Sequence, residues 1–305
     1  MNTSKHSFSD WVLATRPWSF PASAMPVGVT LCWILCQQDT LDTPLPATNW
    51  LLGLWALLNI IVVHAAGNVW SDIFDYRKGV DAPDTYGVRI LTDGVFTPRQ
   101  LLRLSMCLQV VAVVAGIGLV LLTGLPLLYV GICGIALSLS YPPLKYSALG
   151  DMVIMLCYAL LPMLGTTFIV TGTFMPQVLW LAVPVGSITV AILHVNNTRD
   201  IETDQRAGIR TFAMLTGRRA AIGIYVFEVI MPYVWLLCLC AVGFVPWTAL
   251  LTLVSSPLAI GNAHTMLTCK TKGIAAIARL DERTAQLQLA FSLLLMVGLA
   301  LSLWI

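Results

Sequence analysis

The chain has 305 residues, 58% of them hydrophobic and 10% charged, with a formal net charge of +2. At a mean hydropathy of +0.83 it carries too much apolar surface for a soluble globule, and its long apolar runs place it with polytopic membrane proteins. So small a net charge identifies no partner, and no nucleic acid is expected among them.

Residues 1–15 lack the pattern of a cleavable signal peptide. Phe8, Trp11 and Val12 either form the apolar face of a short interfacial helix or belong to a disordered start. Nine helices are then expected, over residues 18–36, 50–72, 101–122, 125–141, 151–171, 178–197, 220–241, 246–267 and 286–305, each near the ~20 residues a bilayer requires. The eight cysteines fall almost wholly inside these runs and form no C-x-x-C pair, so they read as small apolar packers. All 17 Lys and Arg fall in the N-terminal segment or in the even-numbered gaps between helices, counting Arg103, in the first turn of the third helix, with the gap it borders. That segregation places the basic face in the cytoplasm and the C-terminus outside.

Two gaps are long and polar. The one after the second helix contains GNVWSDIFDYRKGVDAPDTYG, and the one after the sixth contains NNTRDIETDQRAGIRT. Asn68-x6-Asp75-x-Arg77-x-Gly79 recurs, four helices later, as Asn197-x6-Asp204-x-Arg206-x-Gly208. An internal duplication is the reading, with units near 50–125 and 178–250. Helical spacing puts His64, Asn68, Asp72 and Asp75 on one face, and Asn196, Asn197, Asp200 and Asp204 on another. Carboxylates at membrane helix ends are costly and usually mark a function. The bland alternative, a solvated loop with incidental charge, explains neither the repeat nor the clustering. Ligand sets of Asp and Asn suit a hard cation, Mg²⁺ before Zn²⁺. Two such sets with interleaved bases suit an Mg²⁺-bridged diphosphate. A secondary transporter also combines repeats with intramembrane acids, although its acids tend to lie near the midplane on broken helices.

At these residues the chain resembles the UbiA superfamily of intramembrane prenyltransferases. The resemblance runs through RPWSFPASAMPV, SDIFD, YPPLKYSALGD and DIETD. It is closest to the 1,4-dihydroxy-2-naphthoate polyprenyltransferases of menaquinone synthesis. The resemblance implies one all-α domain over residues 1–305, nine transmembrane helices around a central apolar cavity, and two Asp-rich motifs on the cytoplasmic side. It implies transfer of a polyprenyl group from its diphosphate to an aromatic acceptor, with 4-hydroxybenzoate and homogentisate as alternative acceptors. Asp72, Asp75, Asp200 and Asp204, with Asn68 and Asn197, would hold Mg²⁺. Lys145, Arg77, Arg206 and Arg210 would contact the diphosphate, Lys145 having a positive-inside anchor as its other reading. Asp81 and Asp84 would complete the metal shell or seat the acceptor, and Arg89 is a weaker candidate for an acceptor carboxylate. Tyr141 matches a family position; Tyr146, Tyr158 and Phe168 could line the cavity or simply pack. His64 and His194 could relay protons, but a histidine bonded to a backbone carbonyl is the ordinary alternative. Two departures stand out. Ser71 replaces the Asn of N-D-x-x-D, and Ile209 replaces the Lys of G-K-R-T.

Overall fold

The computed structural model describes residues 6–38, 41, 44–86 and 89–304, which hold no strand beyond one isolated bridge, Ser147 to Arg210. Of the two readings of the start, a short helix is the one observed over the described residues. Helix α1, Phe8–Ala14, opens on a capping box in which Ser7 Oγ accepts from the Asp10 amide. Phe8 and Leu13 are exposed, while Trp11 packs on Phe96 at 4.6 Å.

Pro17 ends this helix, because a residue before proline is kept out of the right-handed helical region. Arg16 takes the left-handed conformation instead, with φ 56°. The chain then enters α2, Pro21–Cys36, and α3, Ala47–Lys78. Helix α3 has 32 residues, or about 48 Å at 1.5 Å per residue, against ~30 Å of hydrocarbon. Its last turns therefore carry the first acidic motif out of the apolar slab.

Helices α4, Pro98–Thr123, and α5, Pro126–Lys145, form the next hairpin. Helix α6, Gly150–Met155, passes through a π-helical turn at Leu156–Leu160 into α7, Leu161–Thr171. Pro162 lacks the N–H that would continue the ladder, so the hydrogen bonds slip one residue there. Helix α8, Leu179–Arg199, is the central one: 72% of its apolar stretch is buried, against 11% for α4 and for α5. Two short helices follow, α9, Ile201–Arg206, and α10, Phe212–Thr216, and then the long α11, Arg218–Ala241.

Among the described residues, eight helices are long and apolar enough to cross a membrane, where nine were expected. The difference lies in the eighth. Residues Trp247–Ser255 are 3₁₀-helical, and only Ser256–Lys272, α12, is α-helical. Pro257 starts α12 and cannot donate back into the preceding turn. The last helix, α13, Leu280–Leu301, packs closely on that 3₁₀ segment because Gly298 brings no side chain against the Thr248 carbonyl.

The basic segments gather at one end of the bundle. The Arg210 amide bonds the Tyr146 carbonyl at 3.0 Å, Arg199 Nη1 reaches the Ala278 carbonyl at 3.2 Å, and Arg206 reaches Asp84 at 2.6 Å.

Candidate functional site

Both acidic motifs end on the same turn. Gly79 and Gly208 are left-handed, with φ 76° and 68°. The amides of Val80 and Ile209, one residue on, bond the carbonyls of Asp75 and Asp204 at 2.9 and 3.1 Å. A left-handed glycine just past a helix end costs little and caps the free carbonyls. Asp75 and Asp204 are thereby held at equivalent places, each on the last turn of its helix.

A cavity of about 610 Å³ lies between them, opening from this polar end into an apolar corridor lined by α3, α4, α5 and α7. Its polar end is lined by six carboxylates, Asp75, Asp81, Asp200, Asp204, Asp281 and Glu282, and by three bases, Arg16, Lys145 and Arg199. The pairings decide where the excess charge falls. Lys145 Nζ grips Asp75 at 2.9 and 3.2 Å, and Tyr146 and Ser71 donate to the same carboxylate at 2.7 and 3.2 Å. Arg199 holds Asp200 with two bonds of 2.8 Å and stands 3.5 Å from Asp281. Glu282 pairs with Arg279 at 2.7 Å. No described hydrogen bond or ion pair reaches the carboxylate of Asp81 or Asp204. One belongs to the segment following each motif's first aspartates, and both feel Asp75, Asp200 and Lys145.

Burial is the main cause of the shifts at these two groups. Asp81 is pushed up to about 6 and Asp204 to about 7, with neighbouring carboxylates adding to the effect and Lys145 opposing it. A carboxyl whose folded value is raised binds its proton more tightly in the folded protein. Its contribution is present at low pH and fades as pH rises from the unfolded value of ~3.9 through the folded one. In EDTA the melting temperature should therefore fall between pH 5 and pH 7.5 in detergent. Added Mg²⁺ should restore it most at the upper end, where both groups are ionised. A stabilisation by Mg²⁺ that is flat with pH would remove Asp81 and Asp204 from the cation site.

The two asparagines are each held by the amino group. Asn68 Nδ2 donates to the Thr15 carbonyl at 2.9 Å and to Ser19 Oγ at 3.0 Å. Asn197 Nδ2 donates to Asp151 Oδ1 at 3.0 Å. With both amino groups engaged, the carbonyl oxygens are the ends left for the cavity that both residues line. Asn196 adds a buried Oδ1 without a hydrogen-bond partner. An all-oxygen donor set with two uncompensated carboxylates fits a hard divalent cation.

Several expected residues lie elsewhere. Asp72 is buried but does not line the cavity; it faces Arg16 Nη2 at 2.5 Å, because the left-handed turn at Arg16 directs that side chain beneath α3. Asp200 is not one continuous helix face with Asn196 and Asp204, since α8 stops at Arg199 and α9 starts at Ile201. Arg77, Arg206, Arg210 and Asp84 are exposed and outside the cavity wall. Arg206 and Asp84 pair with each other, and the bond to Arg206 holds the Asp84 carboxyl below its ordinary value. Arg89 is committed to its own loop, donating to the carbonyls of Pro83 and Thr85. Ile209 is buried, 3% exposed, and is not a cavity residue.

Tyr141 and Tyr158 line the cavity, and Phe168 packs against Phe174. Tyr146 serves Asp75 through its hydroxyl. His194 Nε2 bonds the Ala221 carbonyl at 3.0 Å, the ordinary structural role, whereas His64 bonds Ser19 and Ser23 and stacks on Tyr158 at 4.2 Å. The residues missed from sequence are Arg16, Arg199, Asp281 and Glu282. Arg16 had a visible signal, as the cation immediately before the first span. Asp281 and Glu282 had one as acids opening the last helix.

A model of the UbiA prenyltransferase family matches residues 27–281. UbiA prenyltransferase domain-containing protein 1 of Gallus gallus is 31% identical over 300 residues, covering 96% of this chain and 85% of that protein. Its Homo sapiens counterpart is 30% identical over 303 residues, covering 96% and 84%. Among solved structures, a UbiA homolog from Aeropyrum pernix K1 superposes with a TM-score of 0.65 at 15% identity, over 94% of this chain and 98% of that one. A UbiA homolog from Archaeoglobus fulgidus bound to GPP and Mg²⁺ gives 0.55 at 12% identity, over 94% and 99%. The fold is shared throughout. None of these relatives carries a name that specifies a naphthoate acceptor.

Proposed function

The chain belongs to the UbiA prenyltransferase family and is an integral membrane prenyltransferase, and from that premise we propose that it transfers a polyprenyl group to 1,4-dihydroxy-2-naphthoate or a close aromatic relative. The observation that carries the site reading is the pair of unpartnered carboxylates, Asp81 and Asp204, facing one cavity from the two acidic segments. Asp75, Asp81, Asp200 and Asp204, with the carbonyl oxygens of Asn68 and Asn197, would hold Mg²⁺, the ion bound with GPP in the Archaeoglobus fulgidus homolog. When bound, the ion neutralises diphosphate charge and makes it a better leaving group.

The remaining roles fall to the chain's own residues. Lys145 and Arg16 line the polar end and supply donors for diphosphate oxygens, exchanging contacts with Asp75 and Asp72. Arg77, Arg206 and Arg210 draw the anion toward the mouth from outside, which is a long-range and salt-sensitive effect. Tyr141 and Tyr158 line the cavity, and the apolar corridor takes the tail and keeps water from the allylic centre as its C–O bond opens. The acceptor assignment rests on the resemblance to the naphthoate polyprenyltransferases, carried by KGVDAPD, residues 78–84, and NNTRDIETD, residues 196–204. The test is direct. Purified protein with Mg²⁺ and a polyprenyl diphosphate should prenylate the naphthoate in a panel with 4-hydroxybenzoate and homogentisate, read by mass spectrometry. Product from another acceptor alone would reassign the acceptor, and diphosphate release without any prenylated product would remove the reading.

The shared turn after Asp75 and Asp204 supports the duplication of the two helical units. The segregation of Lys and Arg supports a cytoplasmic site. A cysteine at exposed Thr173 should react with an impermeant maleimide on intact cells, and one at Arg206 only after permeabilisation. Labelling of the Arg206 position from outside would invert the orientation.

A further inference from the structure

Outside the cavity, one buried polar chain crosses three helices. Asp151 begins α6, His194 lies near the end of α8, and Glu228 sits ten residues into α11. Asp151 Oδ2 stands 3.0 Å from His194 Nδ1, and His194 Nε2 stands 3.0 Å from the Ala221 carbonyl. Both nitrogens of this fully buried ring thus face oxygen acceptors, which fixes the ring in one orientation. The other oxygen of Asp151 accepts from Asn197 Nδ2 at 3.0 Å. Asp151 itself does not line the cavity; Asn197 does.

An asparagine amide presents unlike ends, a carbonyl that binds cations and an amino group that repels them. The two are nearly isosteric, so only hydrogen-bond partners decide which end faces a site. We propose that Asp151 is a positioning residue: clamped by His194, it takes the amino group of Asn197 and so turns the Asn197 carbonyl oxygen toward the cation site. The inference rests on the reading of Asn197 as a cation ligand. The first motif uses a different device for the same end, since Asn68 gives its amino group to the Thr15 carbonyl and Ser19 Oγ. Losing an outer partner of a ligand typically weakens metal binding about 10–100-fold.

The substitutions separate orientation from charge. In Asp151→Ala nothing accepts the Asn197 amino group, so the amide is free to turn over. In Asp151→Asn the new carbonyl still accepts it, and the new amino group donates to His194 Nδ1 while Nε2 keeps its proton for Ala221. The probe is Mn²⁺ alone, titrated into the detergent-purified full chain and followed by electron paramagnetic resonance. Melting temperature in EDTA is read alongside, and Mg²⁺ half-saturation of turnover is compared with kcat. Asp151→Ala should weaken Mn²⁺ binding about tenfold or more and raise the Mg²⁺ requirement, while Asp151→Asn stays near the parent in both. In an Asn197→Ala background, Asp151→Ala should add nothing to the loss, because the two act through one contact. An equal further loss in that background would overturn the proposal, and so would Mn²⁺ affinity that Asp151→Ala leaves unchanged. Unchanged affinity in Asn197→Ala alone would instead remove the ligand reading on which the proposal stands. The ligand atoms of Asp151, His194 and Glu228 lie within 4.8 Å of one another. A bound Mn²⁺ lost in Glu228→Gln would therefore mean that this cluster is itself a metal site, and that outcome also overturns the positioning role.

Discussion

Replacing Asp204 by Asn should lower kcat/KM by about 10³, or ~4 kcal/mol of transition-state stabilisation, while leaving the protein folded. Asp204 is 3% exposed, on the last turn of α9, and no described donor compensates its carboxylate. In a metal-free protein that charge is a burden, which is why its proton is held up to about 7. Asparagine keeps the shape and removes the charge. The melting temperature in EDTA should therefore stay level or rise, and the stabilisation by Mg²⁺ should largely vanish. Asp84→Asn is the matched control, an exposed carboxylate bonded to exposed Arg206. It should leave turnover near the parent value, since surface ion pairs contribute little. Asp72→Ala should differ from both by losing thermal stability as well as activity, because it deletes the carboxylate that the Arg16 guanidinium faces and empties a buried position on α3. Full Mg²⁺-dependent activity in Asp204→Asn would sink the assignment of this cavity to diphosphate chemistry.

What was legible in the sequence is mainly what charge and period control. Acids at the ends of apolar runs are conspicuous because lipid tolerates them so poorly, so Asp75, Asp200 and Asp204 stood out against their background. The glycines after them were visible as part of a repeated pattern, and the structure puts both in the same left-handed cap. Contacts between distant segments were not legible. Spacing alone placed Asp72 with Asp75 on one face, but the partner that decides its role is Arg16, which arrives from another helix through a turn forced by Pro17. The direction of the Asn197 amide depends on Asp151, whose place beside it is set by packing of α6 on α8. The eighth helix read as a uniform apolar run, yet its first nine residues adopt a tighter coil. Hydropathy counts apolar residues and is blind to that difference in winding.

Ile209→Lys would restore the residue that the resemblance expects in G-K-R-T, and restoring a family residue ordinarily suggests a gain in diphosphate affinity. The structure argues for the opposite result. Ile209 is 3% exposed, between exposed Gly208 and exposed Arg210. Its amide bonds the Asp204 carbonyl at 3.1 Å, so any shift of this residue is passed directly to the aspartate on which turnover is expected to depend. An ammonium group placed there without a partner should cost about 3 kcal/mol, the lower end for an uncompensated buried charge. Ile209→Val, which deletes one methylene, should cost only about 1 kcal/mol and keep turnover. The lysine variant is therefore expected to melt well below the parent, with kcat reduced and no fall in the KM for the prenyl diphosphate. The competing outcome has a clear physical route, in which the lysine stem lies along the buried surface and carries its head out to the cavity mouth. Melting would then be nearly unchanged and the diphosphate KM would drop by about tenfold, the effect of one added charge-assisted bond of ~1.4 kcal/mol. Thermal denaturation in detergent and steady-state kinetics on the same preparation separate the two, since one predicts loss in both measurements and the other a gain in KM alone.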